Sequence, residues 1–262
     1  MNYSRIIIPH ARNVLKKISD VLNTKEGWFI FPNSSSDGRR NSQEGEDHVA
    51  NYLLTHPSLT GLLVKKDLKS CPHGNKIISP DQRPGSDSVK KGITDITDNT
   101  DNTDNRAFGD IGINLKKFGY DEPFPCNIKL ISECNKAGNN SCGLINLIQY
   151  TFQRPCTNHD KVMDILVDID KSGYEKITPL LYGIIMVQKE NKKCWVGTFD
   201  EVPEKSIGTN PSNPLQIPFL TDRVVRTEKE YITLLINKIV EYHTKKSRPL
   251  AIWNAYQNSK KE

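Results

Sequence analysis

Asp110, Asn127 and Lys129 are the residues in this sequence whose types and spacing could do chemistry. Asp110 opens one short apolar run (Ile111, Ile113, Leu115), and Asn127-Ile128-Lys129 lies inside a second (124–131), with the turn-rich KKFGYDEP (116–123) between them. Two such runs around a turn predict a β-hairpin, and side-chain alternation then puts residues 127 and 129 on one face. A carboxylate, an amide oxygen and the Ile128 backbone carbonyl are hard oxygen ligands of the kind Mg²⁺ accepts while keeping several waters. Lys129 beside them could orient or help deprotonate a water and offset charge on a pentavalent phosphorus, while the metal polarises the phosphate. Solvent-facing polar residues on a half-exposed hairpin would give the same D-x(16)-N-x-K spacing, so the elements around the hairpin decide how the pattern is read.

Those elements read as a mixed α/β chain. Val14, Leu15, Ile18, Val21 and Leu22 recur at helical spacing over 11–22, and 27–31 reads as a short extended piece. Ser42 is placed to cap a helix with Val49, Ala50, Leu53 and Leu54 on one side, and His56-Pro57 stops it. Glu46 lies on that apolar side, three residues before Val49 and seven before Leu53. Residues 70–106 are poor in large apolar side chains and contain TDNTDNTDN, which predicts a long mobile loop. Beyond the hairpin, 141–152 and 162–169 read as helices, and 180–187 with 194–199 as a second strand pair. Thr227 with Glu230 forms a capping box that opens a last helix through Tyr231, Leu234, Leu235, Ile239 and Tyr242.

Composition bounds the function. The 262 residues suffice for one large domain or two small ones, and a net charge of +5 permits a nucleic-acid partner without requiring one. No apolar run approaches the ~18 residues of a membrane span. Six cysteines without a CxxC pair read as reduced thiols of a cytoplasmic protein. Cys71-Pro72-His73 lacks a second ligand pair for zinc, and Asp95, Asp98, Asp101 and Asp104 fall at every third position rather than the alternate ones of a calcium loop. No GxSxG, Walker-type or GxGxxG sequence occurs.

The run GDIGIN (109–114) followed by PCNIKLIS (125–132) resembles the PD-(D/E)xK nuclease motif of type II restriction endonucleases, over roughly residues 44–152. The resemblance implies an α/β restriction-endonuclease-like core, a mixed central sheet flanked by helices, within one domain over 1–262. It implies metal binding by Asp110 and Asn127, beside the Ile128 carbonyl read from the hairpin, and water activation by Lys129. The family often adds a glutamate from an early helix, which points to Glu46, with Glu44 as second choice. Phe108-Gly109 replaces the usual residues before the first Asp, and Asn127 stands where Asp or Glu is commoner. An amide supplies oxygen but no charge.

By the same resemblance the chain is expected to be a Mg²⁺-dependent homodimer that cuts both strands of a short palindromic DNA site and leaves 5′-phosphate ends. A cognate methyltransferase would protect host DNA. Similarity suggests GGNCC as the site, a preference these residues do not themselves specify. For DNA contact, Lys136, Asn139, Asn140 and Ser141 follow the Lys129 strand, and a surface turn is the other reading. Asn210, Asn213 and Gln216 suit adenine edges and Arg223 and Arg226 suit guanine, while an irregular connection explains the segment equally well. A repair or mobile-element nuclease, and a sequence-specific DNA-binding module with a decayed nuclease site, are the alternatives.

Overall fold

The computed structural model describes residues 3–24, 38–65, 110–131, 144–152, 154, 159–173, 179–188, 191–210 and 213–245. The chain divides into two compact units, each built from two stretches of sequence: Met1–Asn135 with Tyr182–Phe199, and Lys136–Leu181 with Asp200–Glu262. The segments 27–31 and 70–106, read as an extended piece and a mobile loop, lie outside the described residues.

The first unit is mixed α/β, a five-stranded mixed sheet flanked by helices. Its helices are α1 (Tyr3–Asn23) and α2 (Gly38–Thr55), and its strands are β1 (Leu63–Lys65), β2 (Ile111–Ile113), β3 (Phe124–Leu130), β4 (Gly183–Gln188) and β5 (Lys193–Thr198). They lie in the order β1-β2-β3-β4-β5, antiparallel except for the parallel β3/β4 pair. A parallel pair cannot be closed by a hairpin, so the chain leaves at residue 131 and returns at 182. The β2/β3 hairpin matches the expectation from sequence, as does the β4/β5 pair. The turn Lys116–Phe118 ends on Gly119, whose φ of 80° belongs to the left-handed region that glycine enters without strain.

All six residues of β4 and the first five of β3 are buried, as strands covered on both faces must be. α1 covers the face that carries Cys126 and Gly183. A Cβ on Gly183 would lie 2.6 Å from the Cys126 sulfur and 3.0 Å from Leu15 Cδ2, so glycine is what lets the helix seat there. α2 packs against β3 and brings Glu46 to Lys129, on the opposite face.

In the first unit both helix starts differ from those read in the sequence, and in the second the helix read as 162–169 extends over His159–Ser172. α1 runs from Tyr3 through Pro9 instead of starting near residue 11, because Ile7 and Ile8 join its buried face and outweigh the lost proline N–H. α2 begins at Gly38, which makes Ser42 an interior residue and not the cap. Its end at Thr55, with Pro57 opening a 3-10 turn, is as expected.

The second unit contains α3 (Leu144–Phe152), α4 (His159–Ser172), β6 (Gly208–Asn210), β7 (Asn213–Gln216) and α5 (Glu228–Lys245). The segment read as an irregular, proline-stiffened loop is an antiparallel ladder of β6 and β7. Pro214 is tolerated because each strand of a two-stranded ladder has an open edge. The capping box forms as predicted: Thr227 N–H donates to Glu230 Oε2 at 2.7 Å, and Glu230 N–H donates to Thr227 Oγ1 at 3.2 Å.

Candidate active site

The β2/β3 register sets the site. Ile111 lies opposite Cys126, and Asp110 is the residue just before β2. Its backbone N–H donates to the Cys126 carbonyl at 2.8 Å, and its Oδ2 accepts from the Ile128 N–H at 2.6 Å. Strand carbonyls alternate in direction, so that of Ile128 points to the same edge as that of Cys126, the edge on which Asp110 sits. Asn127 and Lys129 share one face by alternation, the charge of Asp110 reaches Glu46 on that face, and a main-chain oxygen lies along its border.

The fourth group comes from α2. Glu46 Oε1 accepts from Lys129 Nζ at 3.3 Å, and both side chains are only 18% exposed, so solvent screens the ion pair weakly. The register partners of Asn127 and Lys129 on β4 are Ile184 and Met186, which give the face an apolar floor. Burial pushes the Glu46 carboxyl up to about 7; Lys129 pulls it down, and the nearby charge of Asp110 pushes it up again. At neutral pH the site thus holds a carboxyl poised between its two protonation states.

Asn127 is 6% exposed, and its Nδ2 is shielded from solvent with no hydrogen-bond partner among the described residues. Leaving such a donor unsatisfied costs about 1–3 kcal/mol, so Nδ2 suits a ligand that brings an acceptor oxygen, such as a phosphate or a water, better than a closed core, and only the Oδ1 of the same amide could face a cation. Among the described residues no three His, Cys, Asp or Glu side chains converge, so any cation here would rest on two carboxylates, one amide and one carbonyl. That all-oxygen set fits Mg²⁺, which is held by one or two carboxylates and keeps several waters.

The structure brings together Asp110, Asn127, Ile128, Lys129 and Glu46. Glu44 belongs to α2, but its side chain lies outside the described residues, as do Lys136, Asn139, Asn140 and Ser141. In the second unit Asn210 and Asn213 face each other across the β6/β7 ladder, and Gln216 pairs with Gly208. Arg223 meets Glu201 at 3.4 Å. Arg226 is half-buried and donates through Nη1 to the carbonyls of Asp200 and Val202, both at 2.6 Å, which ties it to its own chain.

Sequence reasoning missed two contributors, the Ile128 N–H that fixes Asp110 and the Ile184/Met186 floor. The first leaves no sequence signal, because it is a backbone group. The second was signalled by the unbroken apolar run GIIMV, which marks a strand buried on both faces. No protein-family model and no curated protein matches this chain.

Proposed function

We propose that this protein is a Mg²⁺-dependent type II restriction endonuclease of the PD-(D/E)xK kind, which hydrolyses phosphodiester bonds in both strands of a short palindromic DNA site. The observation that carries the reading is the contact between Lys129 and Glu46 on the face of Asn127, within reach of the Asp110 charge. One lysine, two carboxylates and an amide whose unpartnered donor suits a phosphate oxygen, all on an apolar floor, suit attack of water on a phosphate.

In this reading Asp110, Asn127 through its Oδ1, the Ile128 carbonyl and Glu46 would hold the cation. The cation would supply Lewis acidity at the phosphate and a lowered pKa for its water. Asp110 is kept in place by the Ile128 N–H. Lys129 orients the attacking water and offsets negative charge as the phosphorus becomes pentavalent. Ile184 and Met186 limit bulk water beneath the site and strengthen each of these interactions.

A two-fold DNA site calls for a homodimer, and a restriction enzyme calls for a partner methyltransferase. Incubation with supercoiled plasmid and Mg²⁺ tests the reading. Nicking and linearisation by wild type, lost in Lys129→Ala, support it. A DNA-binding module with a decayed nuclease site is the second reading, favoured by the neutral amide of Asn127; it predicts binding without cutting.

A further inference from the structure

We propose that Lys129 and a divalent cation compete for the Glu46 carboxylate, so that the lysine is held on Glu46 until a cation takes the carboxylate and releases the ammonium toward the reacting water. This rests on the reading of the site as a nuclease centre and adds how that centre is regulated.

The argument starts from charge. The face carries Asp110 and Glu46 as acids, Lys129 as a base and Asn127 as a neutral amide. With Asp110 and Glu46 ionised, these groups carry a single negative charge, half of what the two carboxylates would offer alone, and Asp47, next to Glu46 on α2, adds its charge from an exposed position. A dication entering this face meets one carboxylate already engaged, 3.3 Å from an ammonium. Binding through the other oxygen of Glu46 would still leave the ammonium beside the cation. Both side chains are largely shielded from solvent, so this repulsion is much less screened than at an open surface.

The neutral Asn127 enlarges the effect. With an aspartate there, a third negative charge could satisfy the cation without Glu46; with an amide, the cation must draw on the carboxylate that Lys129 holds. Coupling of this kind is reciprocal: what the lysine costs the cation, the cation costs the Lys129–Glu46 pair. The raised pKa of Glu46 agrees with a carboxylate that lacks full compensation.

Mn²⁺ binding to the DNA-free protein, followed by the electron paramagnetic resonance of the unbound ion, tests the competition without any cleavage. Measurement near pH 8 lies above the value of about 7 for Glu46 in wild type; because Lys129 pulls that value down, each lysine variant is titrated at rising pH until its Mn²⁺ affinity is constant, and these limiting affinities are compared. Lys129→Met and Lys129→Gln should each bind Mn²⁺ about ten-fold more tightly than wild type, and Glu46→Gln should abolish that gain. Two lysine variants, with melting curves for each, guard against one that fails to fold. Equal or weaker binding by both folded lysine variants would overturn the competition and leave the proposed function standing. A gain that persists with Glu46→Gln would overturn Glu46 as the contested ligand. No Mn²⁺ binding by wild type or either lysine variant would overturn both the competition and the metal-dependent reading.

Discussion

Asp110 Oδ2 accepts a hydrogen bond from the Ile128 N–H at 2.6 Å, which fastens the residue before β2 to the middle of β3. Asp110→Asn keeps an acceptor for that N–H and removes the charge, whereas Asp110→Ala removes both. Cleavage is expected to fall at least about a hundred-fold in each, the scale of losing one electrostatic contact to the transition state. Stability should separate them: Asp110→Ala loses about 1.5–3 kcal/mol as a charged hydrogen bond disappears, and Asp110→Asn loses less. Urea unfolding of the two variants checks this.

The raised carboxyl of Glu46 makes stability depend on pH. Its folded value of about 7 exceeds the ordinary 4.5, so the folded chain holds the proton more tightly than the unfolded one. The favourable contribution is complete below pH 4.5 and lost as pH rises through about 7. Unfolding midpoints at about pH 5 and about pH 8 should therefore fall further in wild type than in Glu46→Gln. Equal falls would show that Glu46 titrates in the ordinary range.

Asn127→Asp should change the metal profile. The added charge beside Asp110 and Glu46 raises affinity for a divalent cation and shifts the preference between Mg²⁺ and Mn²⁺, while DNA affinity is retained. Calorimetric titration with each ion reads the change. An unaltered profile would mean that the side chain takes no part in holding the cation.

Gly183 is expected to tolerate no side chain. Alanine would place a Cβ 2.6 Å from the Cys126 sulfur, and strain of this kind costs about 1–3 kcal/mol. Because the sulfur is the nearest obstacle, Cys126→Ala should recover part of the loss. Melting temperatures of the two single variants and the double one measure the coupling.

Most of the scaffold was legible in the sequence, for reasons visible at particular residues. Ile111, Ile113, Phe124 and Ile128 alternate or cluster as buried strands do, His56-Pro57 ends α2, and Thr227 with Glu230 opens α5 in the predicted geometry. What sequence could not convey was competition between local signals and tertiary burial. The apolar spacing reads as a helix from residue 11, yet the helix begins at Tyr3 and runs through Pro9 with Ile7 and Ile8 buried in it. The prolines near residue 214 read as a loop, yet that stretch pairs with β6. At the site, the common face of Asn127 and Lys129 followed from alternation alone. Glu46 at Lys129 and Asp110 at the Ile128 N–H depend on α2 packing and on register, which no single segment encodes.

The most direct test of the proposed function is incubation of the purified protein with unmethylated phage DNA in Mg²⁺, with EDTA and Lys129→Ala as controls, followed by sequencing of the fragment ends. Discrete ends at one short palindrome, lost with EDTA and in the variant, are the predicted result. Intact DNA under these conditions, or the same ends from Lys129→Ala, would contradict it.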